Sequence, residues 1–224
     1  MSKILAVGDI HTKGWIVDEV EKIAHKYDTV VFCGDYADDW GKDGLESIET
    51  WHKLYMLQQN HPNVKPVLGN HDFIYVNKTP TLQSGYNPVT QLAINSPANK
   101  YLKDWLLSLP IVLEEDGITF SHAGIAEGWN QTLEMEDLWQ DHSPLWARPQ
   151  WARYEKIKQV FGHSPTTTCT EVHPGIWCID TFSTYPDGHP IGDQTVLEIK
   201  NGKYKKIKLH ENSHNSTSKQ DSVS

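Results

Sequence analysis

Five short apolar runs of this 224-residue chain end in residues that can bind metal ions or transfer protons. Each run is followed by Gly or Ser and then by Asp, Asn or His, in the motifs GDIH (8–11), GDYADD (34–39), GNHD (69–72), SHAG (121–124) and GHSP (162–165). Glycine lets the backbone turn closely after a strand, and open α/β sheets bind ligands at the carboxyl ends of their strands. If the five runs are neighbouring strands, we expect these side chains to converge on one small region.

The residues at these ends form a mixed set of carboxylate, amide and imidazole ligands without thiolates: Asp9, His11, Asp35, Asn70, His122 and His163. Such a set suits Mn, Fe or Zn better than Mg or Ca, which prefer shells of oxygen alone. Six ligands are too many for one tetrahedral ion with an open position, whereas they fit two ions about 3.5–4 Å apart that share a carboxylate. Each motif taken singly is a common turn former, so the hypothesis of a two-metal site rests on all five in this order.

Strands that alternate with helices would position these motifs. The apolar runs predict strands over residues 3–7, 29–33, 64–68, 118–120, 159–161 and 176–179. Apolar residues at helical spacing predict helices over residues 14–27, 45–55, 101–110 and 149–160, the last beginning at Pro149. Asn201-Gly202, between two strand-like runs, predicts a β-hairpin. The pattern indicates an α/β protein with a largely buried central sheet.

Composition and charge bound the class of protein. Hydrophobic residues make up 38% of the chain, enough for a sizeable core. We expect one folded domain over residues 1–210 and a mobile tail over 211–224, where Val223 is the one apolar residue. Twenty Lys and Arg against 29 Asp and Glu give a net charge of −9. This balance disfavours a protein that binds duplex nucleic acid through counterion release.

Cysteine usage and hydropathy indicate a cytoplasmic location. Cys33, Cys169 and Cys178 are too few and too scattered for a disulfide framework or a Cys-rich zinc site. The first residues reach an acid at Asp9 and leave no room for the apolar stretch of a signal peptide. No run approaches the ~20 apolar residues of a membrane span. We therefore expect a cytoplasmic protein without a membrane partner.

The five motifs together resemble the signature of the calcineurin-like metallophosphoesterases. The last two, with WLLSLPIVLEEDGITFSHAGI (105–125) before them and WCIDT (177–181) after, resemble the phosphoprotein phosphatase branch, which includes bacterial and phage enzymes and the diadenosine tetraphosphatases. The resemblance covers roughly residues 3–182. It implies a four-layer α/β/β/α sandwich and an enzyme that hydrolyses phosphate esters with two divalent metal ions, with Mn expected and Fe or Zn as alternatives.

The resemblance also implies a role for each motif residue. Asp9 and His11 would bind one metal ion, Asp35 would bridge, and Asn70, His122 and His163 would bind the other, with Asn70 also facing the substrate. His71 would protonate the leaving oxygen, and Asp38 would orient its imidazole. A poor leaving group needs this proton, and histidine is suited to supplying it near neutral pH.

The second motif departs from the family pattern. Family members usually continue it as Asp-Arg-Gly, and that arginine binds the substrate phosphate, but here Asp38 is followed by Asp39-Trp40-Gly41. Arg148, one of two arginines in the chain, lies in PLWARPQ (144–150), which resembles a second phosphate-binding segment of the bacterial enzymes. An arginine suits bidentate phosphate binding. Trp40 is the best placed of the nine tryptophans to stack on a base, whereas core packing is expected for most of the others.

The expected activity is hydrolysis of phosphate monoesters in the manner of serine/threonine protein phosphatases. The enzymatic alternative is a nucleotide pyrophosphohydrolase like the diadenosine tetraphosphatases, and a nuclease fits the acidic balance poorly. The substrate would be a phosphoprotein, a small phosphoester or a nucleotide. A non-enzymatic alternative is a protein-binding scaffold of the same fold, but a scaffold has no need of His71, and here His71, Asp38 and every ligand position are filled.

Overall fold

The computed structural model describes residues 2–77, 84–127, 129, 138–152 and 157–211. Its strands are β1 Lys3–Val7, β2 Thr29–Phe32, β3 Val64–Pro66, β4 Val112–Glu115, β5 Ile118–Ser121, β6 Lys158–Phe161, β7 Thr170–His173, β8 Ile176–Cys178, β9 Thr195–Lys200 and β10 Lys203–Lys208. Its helices are α1 Gly14–Ala24, α2 Leu45–Asn60, α3 Asn70–Val76, α4 Pro88–Ile94 and α5 Lys100–Ser108. Apart from Glu211, the predicted tail lies outside the described residues.

Two mixed sheets carry the motifs. The first sheet has the strand order β10-β9-β1-β2-β3, and its strands β1, β2 and β3 run parallel to one another. The second sheet has the order β4-β5-β6-β8-β7, and its strands β5, β6 and β8 run parallel to one another. Val7 pairs with Phe32, and Ser121 pairs with Phe161, so neighbouring parallel strands end level with one another. In each sheet the motifs therefore lie together at the edge formed by the carboxyl ends of the parallel strands.

The sheets stack face to face around an apolar core. Alternate residues of β1 point to opposite faces, as a strand requires: Ile4 and Ala6 pack towards Phe120 and Val160 of the second sheet, whereas Leu5 and Val7 belong to the core under the helices. The outer face of the second sheet packs on a smaller cluster that includes Ala152. The predicted α/β sandwich is confirmed.

Helices cover the outer face of the first sheet because each has one apolar side. In α1, Ile16, Val17, Val20 and Ala24 are buried, and α2 buries Trp51 completely. No helix among the described residues combines the length and apolar character needed to cross a bilayer.

Most predicted elements are confirmed within a few residues, with one exception. The helix predicted over 149–160 is wrong, since Pro149–Trp151 forms a single 3₁₀ turn and β6 begins at Lys158. Ala152 is extended and bridges to Ala126. Pairing with β5 and β8 overrides the helical spacing, as tertiary context can override local propensity. The predicted hairpin is confirmed, with Asn201 and Gly202 at positive φ between β9 and β10.

The carboxyl ends of β1 and β6 approach closely at Gly162. A Cβ at this position would lie 1.8 Å from Oδ1 of Asp9, which no real contact permits. We expect Gly162→Ala to lower the free energy of unfolding by about 1–3 kcal/mol, because Asp9 or β6 must move to relieve the overlap. Urea unfolding followed by circular dichroism measures this loss.

Gly14→Ala is the matched control for this variant. A Cβ on residue 14 would meet only the flexible side chain of Lys53, 3.1 Å from its Cδ. The unfolding free energy should therefore change by less than about 1 kcal/mol. Equal losses in the two variants would contradict the close approach at Gly162.

Candidate active site

The predicted ligands lie together where the two sheets meet. Asp9 and His11 follow β1, and Asp35 follows β2. The backbone N–H of His163, after β6, donates to both carboxylate oxygens of Asp9 at 2.9 and 3.0 Å. The backbone N–H of His71 donates to Oδ1 of Asp35 at 2.9 Å. Main-chain donors from different strand ends thus fix both carboxylates.

Two groups of candidate metal ligands share Asp35. One consists of Asp9, His11 and Asp35, and the other of Asp35, His122 and His163; in each, the candidate ligand atoms lie within 4.8 Å of one another. Oδ1 of Asn70 joins the second group, 2.6 Å from Nε2 of His122 and 3.1 Å from Nδ1 of His163. The structure therefore brings all six predicted ligands together, with Asp35 in the position to bridge.

Backbone carbonyls orient two of the imidazoles. Nδ1 of His122 lies 2.9 Å from the carbonyl oxygen of Cys33. Nδ1 of His11 lies 2.8 Å from the carbonyl oxygen of Asp38. A carbonyl oxygen accepts a hydrogen bond, so Nδ1 carries the proton in both rings and Nε2 keeps its lone pair for a metal ion.

Backbone strain is concentrated in this region. His11, Asp35, Asp38 and His163 have φ values of 39°, 56°, 60° and 64°. A residue with a side chain held in this left-handed region costs on the order of 1–3 kcal/mol, and such residues cluster at functional sites. Four residues of the candidate site thus adopt a conformation that L-residues rarely take.

The charge state of the site fits bound dications. Burial raises the pKa values of Asp9 and Asp35 well above the usual range, and neighbouring carboxylates raise them further. Burial lowers the pKa values of His11 and His163 to about 3 and that of His122 well below its usual range. Neutral imidazole is the form that binds metal, and clustered buried carboxylates need positive charge to remain ionised. These residues therefore fit two divalent ions.

A hydrogen-bonded chain lies beside the ligand groups. Nδ1 of His71 is 2.9 Å from Oδ2 of Asp38, and Tyr75 Oη donates to Oδ1 of the same carboxylate at 2.5 Å. The hydroxyl of Tyr75 accepts a hydrogen bond from the backbone N–H of Asn87 at 2.7 Å. Asp38 is thus held from one side while its other oxygen orients His71.

Burial favours the neutral form of each member of this pair. It lowers the pKa of His71 to about 4 and raises that of Asp38 to about 8. A carboxyl group joined to an imidazole in this way holds a proton that the pair can pass to a leaving oxygen.

The position of the missing arginine is occupied by a paired acid. Oδ2 of Asp39 accepts a hydrogen bond from Nζ of Lys13 at 2.7 Å, and Oδ1 accepts one from Oγ1 of Thr184 at 2.6 Å. Burial opposes ionisation, but the Lys13 ammonium and these hydrogen bonds lower the pKa of Asp39. Asp39 therefore lines the site as a carboxylate whose charge is already balanced.

Arg148 lies near the residues that follow β6. Its Nη1 is 3.5 Å from the carbonyl oxygen of His163 and from Oγ of Ser164, and the side chain is exposed. It lines a cleft of about 440 Å³ together with the ligand residues, His71 and Trp40. Arg148 is therefore within the same cleft as the candidate metal groups. Arg153 lies outside the described residues.

Sequence reasoning missed three buried residues of the site. Asp180 is buried near Asp9 and lines the cleft. Asp180 comes shortly after the end of β8, in WCIDT (177–181). The search for acids and histidines at strand ends could therefore have found it. Asp72 accepts hydrogen bonds from the indole N–H of Trp51 at 2.8 Å and from the backbone N–H of Tyr36 at 3.1 Å. Asp72 ends the GNHD motif but received no role, and Tyr75 gave no signal, because the partners of both are distant in the sequence.

The fold and the candidate ligand set fit a metal-dependent phosphoesterase. The chain matches the Calcineurin-like phosphoesterase family over residues 2–174 and belongs to that family. The resemblance noted in the sequence is confirmed, and with it the class of enzyme.

Curated and structural relatives agree with this family. The symmetrical bis(5'-nucleosyl)-tetraphosphatase of Vibrio cholerae serotype O1 is 28% identical to this chain over 158 residues. The aligned region is 68% of this chain and 52% of that protein. The chain therefore spans about half the length of the curated relatives it matches. A cold-active protein-tyrosine phosphatase of Shewanella sp. has a TM-score of 0.66 at 17% identity, over 93% of this chain and 81% of that one.

A third relative has the same fold. A protein serine/threonine phosphatase from Saccharomyces cerevisiae has a TM-score of 0.59 at 18% identity, covering 95% of this chain and 81% of that chain. At these identities the two phosphatase structures are evidence of the shared fold alone.

The sharing of Asp35 predicts how metal content responds to substitution. Protein equilibrated with Mn²⁺ and freed of excess ion should contain two ions per chain by mass spectrometry of the metal. Asp35→Asn should contain one or fewer, because both ligand groups lose a charged member. His71→Ala should retain two. Two ions in Asp35→Asn, or loss of an ion in His71→Ala, would make the assignment wrong.

The contact between Tyr75 and Asp38 predicts a positioning role for the hydroxyl. Tyr75→Phe should lower kcat by about 5- to 20-fold for an alkyl phosphate, whose leaving oxygen needs a proton, because the hydrogen bond that holds the Asp38 carboxyl is lost. The loss should be smaller for 4-nitrophenyl phosphate, while metal content stays at two.

Tyr86→Phe is the matched control for Tyr75→Phe. The Tyr86 ring stacks on Tyr75 with 5.4 Å between centroids, so this variant keeps the packing and the Tyr75 hydroxyl. Its kcat for both substrates should match the wild type. Equal losses with good and poor leaving groups in Tyr75→Phe would indicate general damage instead of positioning.

Proposed function

We propose that this protein hydrolyses phosphate monoesters with two divalent metal ions, in the manner of serine/threonine protein phosphatases. The observation that carries the proposal is the pair of ligand groups that share Asp35, with His71 and Asp38 beside them. The substrate would be a phosphorylated protein or small phosphoester. The catalytic unit would extend over residues 1–210.

The bound ions would supply positive charge that polarises the phosphoryl group and activates the attacking water. Asp9, His11 and Asp35 would hold one ion, and Asp35, Asn70, His122 and His163 the other. The mixture of imidazole, carboxylate and amide ligands favours Mn, with Fe or Zn as alternatives. Asn70 would also border the bound phosphate.

Side chains of the protein would bind the phosphate and supply the proton. Arg148 would bind the non-bridging phosphate oxygens and offset the negative charge that grows in the transition state. His71 would donate the proton from Nε2 to the leaving oxygen, since Nδ1 is engaged with Asp38. Asp38 would keep the ring in this orientation and stabilise its charge while the proton is in transit.

A second candidate function is hydrolysis of dinucleoside polyphosphates. The curated relatives from Vibrio cholerae bear the name of that activity, and the cleft of about 440 Å³ is lined by Trp40 as well as by the ligand residues. A protein-binding scaffold is less well supported, because it would not need the His71–Asp38 pair. The acidic charge balance continues to oppose duplex nucleic acid as a partner.

The cellular setting stays a prediction. The three cysteines are buried and unpaired, as expected of thiols in a reducing compartment such as the cytoplasm.

A substrate panel separates the candidate functions. The protein is assayed with Mn, Mg, Fe or Zn against 4-nitrophenyl phosphate, its bis-ester, a phosphoserine peptide and diadenosine tetraphosphate. The proposal expects the highest kcat/KM on a monoester with Mn. Preference for diadenosine tetraphosphate would favour the second function, and no hydrolysis by the protein carrying two metal ions would contradict both.

The proton donor predicts a dependence on the leaving group. His71→Ala should lower kcat by on the order of 10²–10⁴-fold for an alkyl phosphate, the range typical for loss of a general acid. The loss should shrink for 4-nitrophenyl phosphate, which needs little protonation. Steady-state kinetics with the two esters tests this. An equal loss for both esters together with lost metal would make His71 a ligand.

The phosphate contact predicts a different signature for Arg148. Arg148→Ala should lower kcat/KM by about 10- to 150-fold, because a charge-assisted contact contributes roughly 1.5–3 kcal/mol. Inorganic phosphate should inhibit the variant correspondingly less, at unchanged metal content. Lys100→Ala removes a solvent-exposed cation of α5 and serves as the control. Unchanged kcat/KM and phosphate inhibition in Arg148→Ala would transfer the role to Lys13 or Arg153.

A further inference from the structure

Two exposed aromatic side chains border the candidate active site. Trp40 is 43% exposed and Tyr185 is 53% exposed, and both line the cleft that contains the ligand groups. Tyr101 and Trp151 are the other exposed aromatic side chains among the described residues, and each packs against neighbouring rings. Neither Trp40 nor Tyr185 contacts another ring in the described part of the chain. Their apolar surface faces the cleft without an aromatic partner.

One hydrogen bond ties together the two loops that carry these rings. Thr184 Oγ1 donates to Oδ1 of Asp39 at 2.6 Å, and Trp40 and Tyr185 are the next residues along the chain after Asp39 and Thr184. The backbone N–H of Trp40 donates to the same carboxylate oxygen at 2.9 Å. The two loops are therefore joined directly beside both rings, and both rings line the same cleft.

The loop of Tyr185 has a defined shape. The backbone N–H of Tyr185 donates to the carbonyl oxygen of His189 at 2.9 Å, and that of Gly188 donates to the carbonyl oxygen of Tyr185 at 2.8 Å. Thr184 and Pro190 form an antiparallel bridge. This turn presents Tyr185 at a fixed position, so little order needs to be gained when a ligand binds.

The residues that line the cleft offer two kinds of contact. Arg148 lies beside His163, where it can meet phosphate oxygens. The part of the cleft that contains Trp40 holds Asp39, whose charge Lys13 balances at 2.7 Å. It offers indole and phenol faces, which stack on flat rings.

We propose that Trp40 and Tyr185 form a subsite for a flat aromatic ring attached to the phosphate of the substrate. The ring is the base of a nucleotide or the phenol ring of an aryl ester, since both present the same planar apolar face. The inference rests on the proposed function, because a phosphate bound at the ligand groups fixes where the ring must lie. It names Trp40 and Tyr185 as the residues that determine which phosphoesters are preferred.

A matched pair of substrates isolates the ring. Adenosine 5'-monophosphate and ribose 5-phosphate share the phosphate, the sugar and the leaving oxygen, and differ in the base. The ratio of their kcat/KM values is measured for the wild type, Trp40→Leu and Tyr185→Leu. Each variant should lower the ratio by about 5- to 100-fold, the range expected when one stacking ring is removed. General damage to the site affects both substrates and cancels in the ratio.

Phenyl phosphate and cyclohexyl phosphate form the second pair, and they distinguish the source of the ring. For each ester the kcat/KM of a variant is divided by that of the wild type, which cancels the difference in leaving group. A selective loss with the adenine pair assigns the subsite to nucleotides, and a selective loss with the phenyl pair assigns it to aryl esters. Unchanged ratios in both pairs overturn the proposal.

Two controls separate this proposal from the proposed function. Tyr101→Leu removes an exposed ring away from the cleft and should leave both ratios at their wild-type values, while circular dichroism and metal content confirm that the variants are folded. If the wild type hydrolyses neither the four esters nor a phosphoserine peptide, the proposed function has failed. Calorimetry of adenosine 5'-monophosphate against ribose 5-phosphate then tests the subsite, and equal affinities in wild type and variants would overturn it.

Discussion

The contact on which the site depends is the one between the backbone N–H of His163 and the carboxylate of Asp9. It joins the strand end of β6 in one sheet to that of β1 in the other, at 2.9 and 3.0 Å. Gly162 makes this approach possible, because any side chain would overlap Asp9. Together with the contact between Nδ1 of His122 and the carbonyl oxygen of Cys33 at 2.9 Å, it holds the strand ends of the two sheets side by side, so that Asp35 belongs to both ligand groups. The geometry of the site is therefore a property of the sandwich and not of either sheet.

That same convergence imposes an electrostatic cost. Asp9, Asp35 and Asp180 are almost completely buried within one small volume, and burial raises the pKa of each of them, that of Asp180 to about 6. Main-chain donors offset part of the cost, and two divalent ions would offset the rest. A fold that retained this arrangement without binding cations would keep the desolvation penalty and gain nothing from it. The buried carboxylates are therefore the strongest physical argument for metal binding.

The sequence was sufficient to predict which side chains converge at the candidate site, since three ordinary rules act together. Parallel strands end at the same edge, glycine permits a close turn, and side chains at that edge meet; Asp9, Asp35, Asn70, His122 and His163 follow directly. These rules do not predict contacts that depend on how helices and strands pack against one another. Tyr75 touches Asp38 because α3 lies against the loop after β2, and no spacing within α3 reveals that. The helix predicted from Pro149 failed for the same reason, because strand pairing at β6 outweighs local periodicity.

The replacement of arginine by Asp39 changes more than one phosphate contact. An unpaired carboxylate at this position would repel a phosphate, but Lys13 balances it and Thr184 occupies its other oxygen. Where the family pattern has a phosphate-binding arginine, this chain therefore has Asp39. Its hydrogen bond with Thr184 joins the loop after β2 to the loop that carries Tyr185. Under the proposed function, phosphate binding would fall to Arg148 and the metal ligands. An enzyme built this way has less charge with which to hold a phosphate and more apolar surface with which to select what the phosphate is attached to.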